Sequence, residues 1–266
     1  VTLIMGIVNV TPDSFSDGGR HFSSDTAIAH GRALHAAGAD LIDVGGESTR
    51  PGAERVSPAE ELDRVLPVVS TLASEGIAVS IDTMNAATAA AAVAAGARIV
   101  NDVSGGLADP AMLAAVADSE ADVVLQHWRG PSSEMYARSD YVDVVREVVA
   151  ELEERRRAAV AAGISPDRII LDPGIGFGKR GEQNWEVLRH LDRVVAIGSR
   201  VLVGTSRKRF LLDALAGDAE PGEQRRDLAT AVTSVLAAQA GAWAVRVHDV
   251  AATRDALSVW GRWEGR

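Results

Sequence analysis

Residues 93–106 read "VAAGARIVNDVSGG". The Ala-rich opening suits the end of a helix, and Gly96 stands where a left-handed residue would stop it. Ile99 and Val100 then make a short apolar strand, and Asn101, Asp102, Ser104 and two glycines follow at once. The same passage recurs. "HAAGAD" places Gly38 before Leu41, "VAAGIS" places Gly163 before Arg168, and "AAQAGAW" places Gly241 before Ala244. The unequal spacing argues against a solenoid and for a repeated βα unit with loops of varied length.

Extending the pattern along the chain predicts strands at Leu3–Val10, Leu41–Val44, Ala78–Ile81, Arg98–Val100, Val123–Gln126, Arg168–Leu171, Arg200–Val203 and Ala244–Val247. Helical periods fill the intervals: Asp25–Ala37, Pro58–Ser74, Ala86–Ala95, Pro110–Ala117, Tyr141–Ala162, Glu182–Ala196, Arg226–Ala240 and Val250–Arg262. Strands that are apolar along their length and separated by helices are parallel and buried on both faces. This number of such units, in a chain of 266 residues, matches a (β/α)₈ TIM barrel in one domain spanning 1–266. A doubly wound open sheet is the competing arrangement, but its G-x-G-x-x-G fingerprint is missing after the first strand.

Composition narrows the function. Net charge is −10 without a long basic run, the opposite of a chain that binds nucleic acid by neutralising phosphates. No run has the ~18–20 apolar residues of a membrane span, and the start lacks a basic-then-apolar leader. Cysteine is absent, which excludes disulfides and thiolate metal sites and fits a cytoplasmic location. No H-E-x-x-H or similar zinc set occurs.

In a barrel the chemistry belongs at the C-terminal ends of the strands. Strand 1 runs out into Asn9, Thr11 and Asp13, strand 2 into "DVGGESTRPG", strand 3 into "SIDT" and strand 4 into "VNDVSGG". Strand 5 ends in "LQHW", strand 6 in "LDPGIGFGK", strand 7 in "VGTSRKRF" and strand 8 in "VRVHD". Both lysines of the chain, Lys179 and Lys208, are in this set, as are His127 and His248. The helix-to-strand turns on the other face are short and of the "AAGA" type. Asp82, Asn101 and Asp172 suit a flat heterocycle with an amidine-like edge, because a carboxylate accepts two N–H bonds. Asn9, Arg50, Arg246 and His248 suit an anion, and the Asn9 side chain offers an oxygen to a hard cation such as Mg²⁺.

Other polar residues have plainer readings. Asp109 and Asp140 are expected to be helix N-caps or turn residues. Asp43, inside "LIDVGG", is either a core acid paired with a neighbour or part of the site. "GIGFGK" lacks the spacing of a phosphate-binding G-x-x-x-x-G-K-[ST] loop. His21, His30, His35 and His190 are surface or packing residues, and His127 either packs the barrel mouth or serves the site.

Taken together, "MGIVNVTPDSFSDGG" (5–19), "GADLIDVGGESTRPGA" (38–53), "SIDT", "NDVSGG", "LDPGIGFGK", "GTSRKRF" and "VRVHDV" resemble, in order, the motifs of the dihydropteroate synthases of folate biosynthesis. The resemblance covers the chain from Leu3 onward. The Arg- and Ala-rich composition is what a bacterial member from a GC-rich genome would show. The resemblance implies a homodimeric, Mg²⁺-using transferase that condenses 6-hydroxymethyl-7,8-dihydropterin diphosphate with p-aminobenzoate, releasing pyrophosphate, and that sulfonamides inhibit. It places the pterin on Asp82, Asn101, Asp172 and Lys208, and the diphosphate on Asn9, Arg246 and His248, with Mg²⁺ at Asn9. Asp82, Lys208, Arg246 and His248 are the residues it implies for catalysis. Thr49, Arg50 and Pro51 fall in one mobile loop and Phe15 in another, where its ring would pack on aminobenzoate. Phe177 and Lys208 form the wall against which aminobenzoate stacks. Trp243, Trp260 and Trp263 are candidates for the dimer interface or, equally, for the core of a monomer.

Two positions depart from the family's usual residues: Gln126 stands where a Met commonly packs on the pterin, and Arg209 where a small Ser helps bind the aminobenzoate carboxylate. Two other functions share part of the pattern. A pterin-dependent methyltransferase domain has the same Asp/Asn/Asp set, but "TPDSFSDGG", "ESTRPG" and "SRK" resemble the synthase loops. A degenerate paralogue would bind a pterin without catalysis, yet every polar position of the site is filled here.

Overall fold

Eight parallel strands close into a barrel in chain order, β1 pairing with β8 through the register Met5 with Arg246. The structure is a computed structural model that describes residues 1–10, 20–47, 56–131, 139–215 and 221–265, with backbone alone over 20–23. The strands are β1 Leu3–Asn9, β2 Leu41–Gly45, β3 Val79–Asp82, β4 Ile99–Asp102, β5 Asp122–Gln126, β6 Ile169–Asp172, β7 Arg200–Val203 and β8 Ala244–Val247. Around them lie α1 Arg20–Ala36, α2 Pro58–Ser74, α3 Ala86–Ala94, α4 Met112–Ala117, α5 Val144–Ala161, α6 Glu182–Arg189, α7 Leu191–Val195, α8 Glu223–Gln239 and α9 Val250–Trp263. The TIM barrel expected from the sequence is the fold, and the open sheet is excluded by the β1–β8 pairing.

Because successive strand residues point to opposite faces, each strand is divided by parity. One set, including Val8, Ile42, Val44, Ile81, Val100, Leu125, Leu171, Val203 and Val245, packs outward under the helices. The other set points into the barrel: Met5, Leu41, Ile99, Val124, Ile170, Leu202 and Ala244 form an apolar plug, with Leu3, Ala78 and Trp243 against it. Each buried aliphatic side chain of this kind contributes about 1.5–3 kcal/mol. The plug also seals the floor of the barrel, so a ligand has access only from the other end.

The "AAGA" turns hold the opposite, structural face. After α3, the Gly96 N–H bonds the Val93 carbonyl at 3.0 Å and the Ala97 N–H bonds the Ala92 carbonyl at 2.9 Å, the paired bonds of a Schellman end. Gly96 needs a φ of +110° to make this turn, and Gly38, Gly163 and Gly241 repeat it.

Several expected helices differ at their ends: α1 starts at Arg20 and α8 at Glu223, ahead of the expected Asp25 and Arg226. α5 starts at Val144, capped by Asp143 and not by Asp140. Tyr141 is held outside it by a 2.9 Å bond from its hydroxyl to the Gly178 carbonyl, and Glu147 accepts the N–H groups of Val142 and Asp143. The helix expected over Glu182–Ala196 breaks at His190, whose φ of −114° and ψ of 30° leave the helical region; Leu191 and Val194 turn inward beyond it. Asp109 is a turn residue ahead of α4, whose N-cap is Ala111 without a side-chain cap bond; its carboxylate accepts the N–H of Ala111 and also that of Ala86 at the start of α3. Among the described residues, no helix is long and apolar enough to cross a membrane.

Candidate active site

The inward parity that builds the plug continues upward and becomes polar. Two residues beyond Leu41 is Asp43; beyond Ile99, Asn101; beyond Val124, Gln126; beyond Ile170, Asp172; and beyond Ala244, Arg246. Asp82 stands at the same level on β3, in register with Asn101. The site is thus the upper layer of the barrel interior, resting on hydrocarbon.

Arg246 is the hub of this layer. Its Nε donates to Asp43 Oδ2 at 2.6 Å and its Nη2 to Asp82 Oδ2 at 2.8 Å. Asn101 Nδ2 donates to Asp43 Oδ2 at 3.0 Å. Asp43 is fully buried and so is both the paired core acid and part of the site. Its other oxygen, and the hydroxyl of Ser80 on the neighbouring strand, have no hydrogen-bond partner among the described residues. Burial pushes the Asp82 carboxyl up to about 7, against the pull of Arg246 and with Asp43 and Glu61 adding to the rise. Burial likewise raises Asp172, whose Oδ1 accepts the Gly174 N–H at 2.7 Å. Inward-facing Gly45 and Gly204 keep room among these groups: a Cβ on Gly45 would meet the Asp82 Cβ at 3.4 Å, and one on Gly204 would lie 3.8 Å from Lys208 Nζ.

Lys208 reaches the layer from the loop after β7. Its Nζ donates to the Ile175 carbonyl and lies 4.6 Å from the centre of the Phe177 ring, a cation–π distance. Burial draws both lysines down, Lys208 to about 8 and Lys179 to about 7, with Asp172 opposing in each case.

His248, beyond Arg246 on the same parity, bonds through Nδ1 to Ser206 Oγ at 2.8 Å. The same oxygen accepts the His248 backbone N–H at 3.1 Å. With one backbone N–H accepted, the hydroxyl keeps its proton and a second lone pair for Nδ1, so the two bonds fix the orientation of the imidazole.

Asn9 ends β1, partly exposed at the mouth. Among the described residues, no cluster of three His, Cys, Asp or Glu could hold a metal. A single amide oxygen fits Mg²⁺ only where substrate phosphates and water complete its shell.

The chain matches the family model described as "Pterin binding enzyme" over residues 5–248. It is 54% identical to the dihydropteroate synthase of Mycobacterium leprae over 98% of this chain and 93% of that one. The chain belongs to the dihydropteroate synthase family. The Xanthomonas albilineans dihydropteroate synthase with 4-aminobenzoic acid superposes with a TM-score of 0.92 at 47% identity, covering 100% of this chain and 94% of that one. The same enzyme in complex with 7,8-dihydropteroate gives a TM-score of 0.88 at 44% identity, with the same coverage. These relatives are synthases, which supports the synthase reading and not the methyltransferase alternative.

Of the residues that the resemblance to dihydropteroate synthases singled out, Asp82, Asn101, Asp172, Phe177, Lys208, Arg246 and His248 gather at the barrel mouth with Asn9. Phe15, Thr49, Arg50 and Pro51, like Thr11 and Asp13, lie outside the described residues. Arg209 is exposed at the rim, and the Gln126 amide is turned aside to donate to the Val103 carbonyl at 3.3 Å. Ser206 and Glu61 escaped the sequence reading. Glu61 is buried in α2 and accepts Asn85 Nδ2 and Thr88 Oγ1, each at 2.7 Å. The signal for Ser206 was parity, two residues beyond inward-facing Gly204; no local signal marks Glu61.

Proposed function

We infer that the chain is a transferase of folate biosynthesis, a single catalytic domain that condenses 6-hydroxymethyl-7,8-dihydropterin diphosphate with p-aminobenzoate to give 7,8-dihydropteroate and pyrophosphate. The observation that carries this is the ring of buried acids and amide above the apolar plug. Asp43, Asp82, Asn101 and Asp172 present acceptors to the N–H edge of a flat ring, and the glycines leave space for it.

The proposed reaction is a dissociative displacement. The methylene C–O bond breaks with its electron pair leaving on pyrophosphate, and the arylamine lone pair then bonds carbon. The surplus amine proton passes to solvent or pyrophosphate. Asp82 stabilises the cationic pterin electrostatically. Arg246 and the His248 imidazole hold the departing diphosphate, and Lys208 with Phe177 forms the wall for the incoming ring. Asn9 would hold Mg²⁺, which supplies charge neutralisation of the leaving group. An aniline-type amine is largely unprotonated at neutral pH, so no strong base is needed; exclusion of water matters more. The loops carrying Phe15 and Thr49–Pro51 are proposed to provide it, and a sulfonamide is expected to compete for the aminobenzoate place.

The molecule is proposed to act as a cytoplasmic homodimer. Leu228, Val232 and Leu236 form an exposed stripe on α8, 63%, 52% and 54% accessible, beside Val259 and Trp263 on α9 at 71% and 87%. A second copy laying the same face on this one would bury it.

The test is pyrophosphate release by the unaltered chain with Mg²⁺ and the pterin diphosphate. Release that requires p-aminobenzoate supports the assignment; release indifferent to it would sink the assignment.

A further inference from the structure

Lys179 has no part in the reaction just described, yet it is a lysine only 1% exposed, and burying such a group costs several kcal/mol unless it is fully partnered. It is. Nζ lies 3.0 Å from His127 Nδ1, 3.0 Å from the Gly174 carbonyl and 3.1 Å from the Phe177 carbonyl. An ammonium has three donors and no acceptor, and here it meets three acceptors. His127 can accept at Nδ1 only as the neutral ring with its proton on Nε2. That nitrogen lies 2.9 Å from Glu151 Oε2, a close contact that is out of line for a hydrogen bond, and burial followed by the charge of Lys179 holds the imidazole down at about 4. The buried positive charge thus stands one neutral imidazole away from a carboxylate on α5, which Arg129 also grips.

The loop over residues 174–179 is wrapped around this ammonium. Gly174 approaches so closely that a Cβ there would fall 2.3 Å from the His127 carbonyl oxygen, and a Cβ on Gly176 would fall 2.7 Å from Lys208 Cδ. Asn184 holds the loop from outside, accepting the Gly176 N–H at 2.6 Å and donating to the Lys179 carbonyl at 3.3 Å. What the wrapped loop presents to the site is the Phe177 ring and the Ile175 carbonyl that receives Lys208.

We propose that Lys179 is a positioning residue of the condensation: its ammonium, bonded to His127 with Glu151 close behind the ring, fixes the loop that places Phe177 and Lys208 as the wall for the arylamine. This rests on the role given above to Phe177 and Lys208. The wild-type dependence of pyrophosphate release on p-aminobenzoate tests that role first and separately.

The test uses the full chain carrying Lys179→Met, which keeps the length and removes all three donors. The KM for p-aminobenzoate is expected to rise about tenfold or more, with the KM for the pterin diphosphate within about threefold of wild type and an unchanged circular dichroism spectrum. A lowered Tm with both KM values unmoved would make Lys179 merely structural and overturn the proposal. An equal loss for both substrates would overturn it too. If Lys179→Met does not fold, Glu151→Gln decides, since the Glu151 side chain is 37% accessible. A selective rise of about threefold in the aminobenzoate KM supports the relay, and no change overturns it.

Discussion

Asp82 meets Arg246 at 2.8 Å with Asp43 on the other side of the guanidinium, so one cation serves two buried acids. Such a carboxylate can stabilise a cation only while ionised, and its pKa is pushed up to about 7, mainly by burial. The sign follows: Asp82 is anionic above that value and neutral below it. kcat/KM for the pterin diphosphate is expected to fall as pH drops through about 7, and Asp82→Asn is expected to lose this limb. In the same variant, kcat should fall by about a hundredfold or more while pterin affinity changes far less. An acid limb persisting unchanged in the variant would assign it to the substrate. Ser206 is the second residue at this scale. Ser206→Ala removes the bond that orients the His248 ring, and pyrophosphate affinity measured by titration calorimetry is expected to drop about fivefold, the worth of one hydrogen bond, with the KM for p-aminobenzoate unmoved. The motifs made Asp82, Asn101 and Arg246 legible as candidates, because they follow short strands. Asp43 stayed open and Ser206 unseen because the strand phase that aims them inward becomes plain only once the barrel is closed.

The βα unit is the element that repeats, and its turning point is the glycine after the helix. At Gly96 a Cβ would fall 2.7 Å from the Ala73 Cβ on α2, in a backbone conformation with φ of +110°. Gly96→Ala is therefore expected to cost about 1–3 kcal/mol, seen as a lowered Tm, with kcat unchanged because the turn lies at the end of the barrel away from the site. The glycine and the alanines around it were readable because the Schellman end depends on local backbone geometry alone. The break at His190 and the late start of α5 were not, because each answers to contacts distant in sequence. Tyr141 is held by Gly178 across 37 residues, and no periodicity in its neighbourhood records that.

At the scale of the molecule, the barrel has a sealed floor, an open mouth and an apolar stripe on one flank. Val232→Glu would place a charge in the middle of the stripe on α8. Sedimentation is expected to show a dimer for the unaltered chain and a monomer for the variant, at a similar Tm for the exposed position. A dimer that survives the charge would move the interface elsewhere. The amino-acid sequence by itself determined the order of strands and helices, the glycine ends and the polar residue types after each strand, since these are set by local sterics and by a period of two or of about four. Tertiary structure alone decided which of those polar residues meet. Asp43 and Arg246 are 203 residues apart and are joined at 2.6 Å only because β8 closes on β1. Lys179 became an ammonium with three acceptors only when the loop after β6 folded over His127. Contacts of that kind depend on closing the barrel, and no local pattern in the chain encodes them.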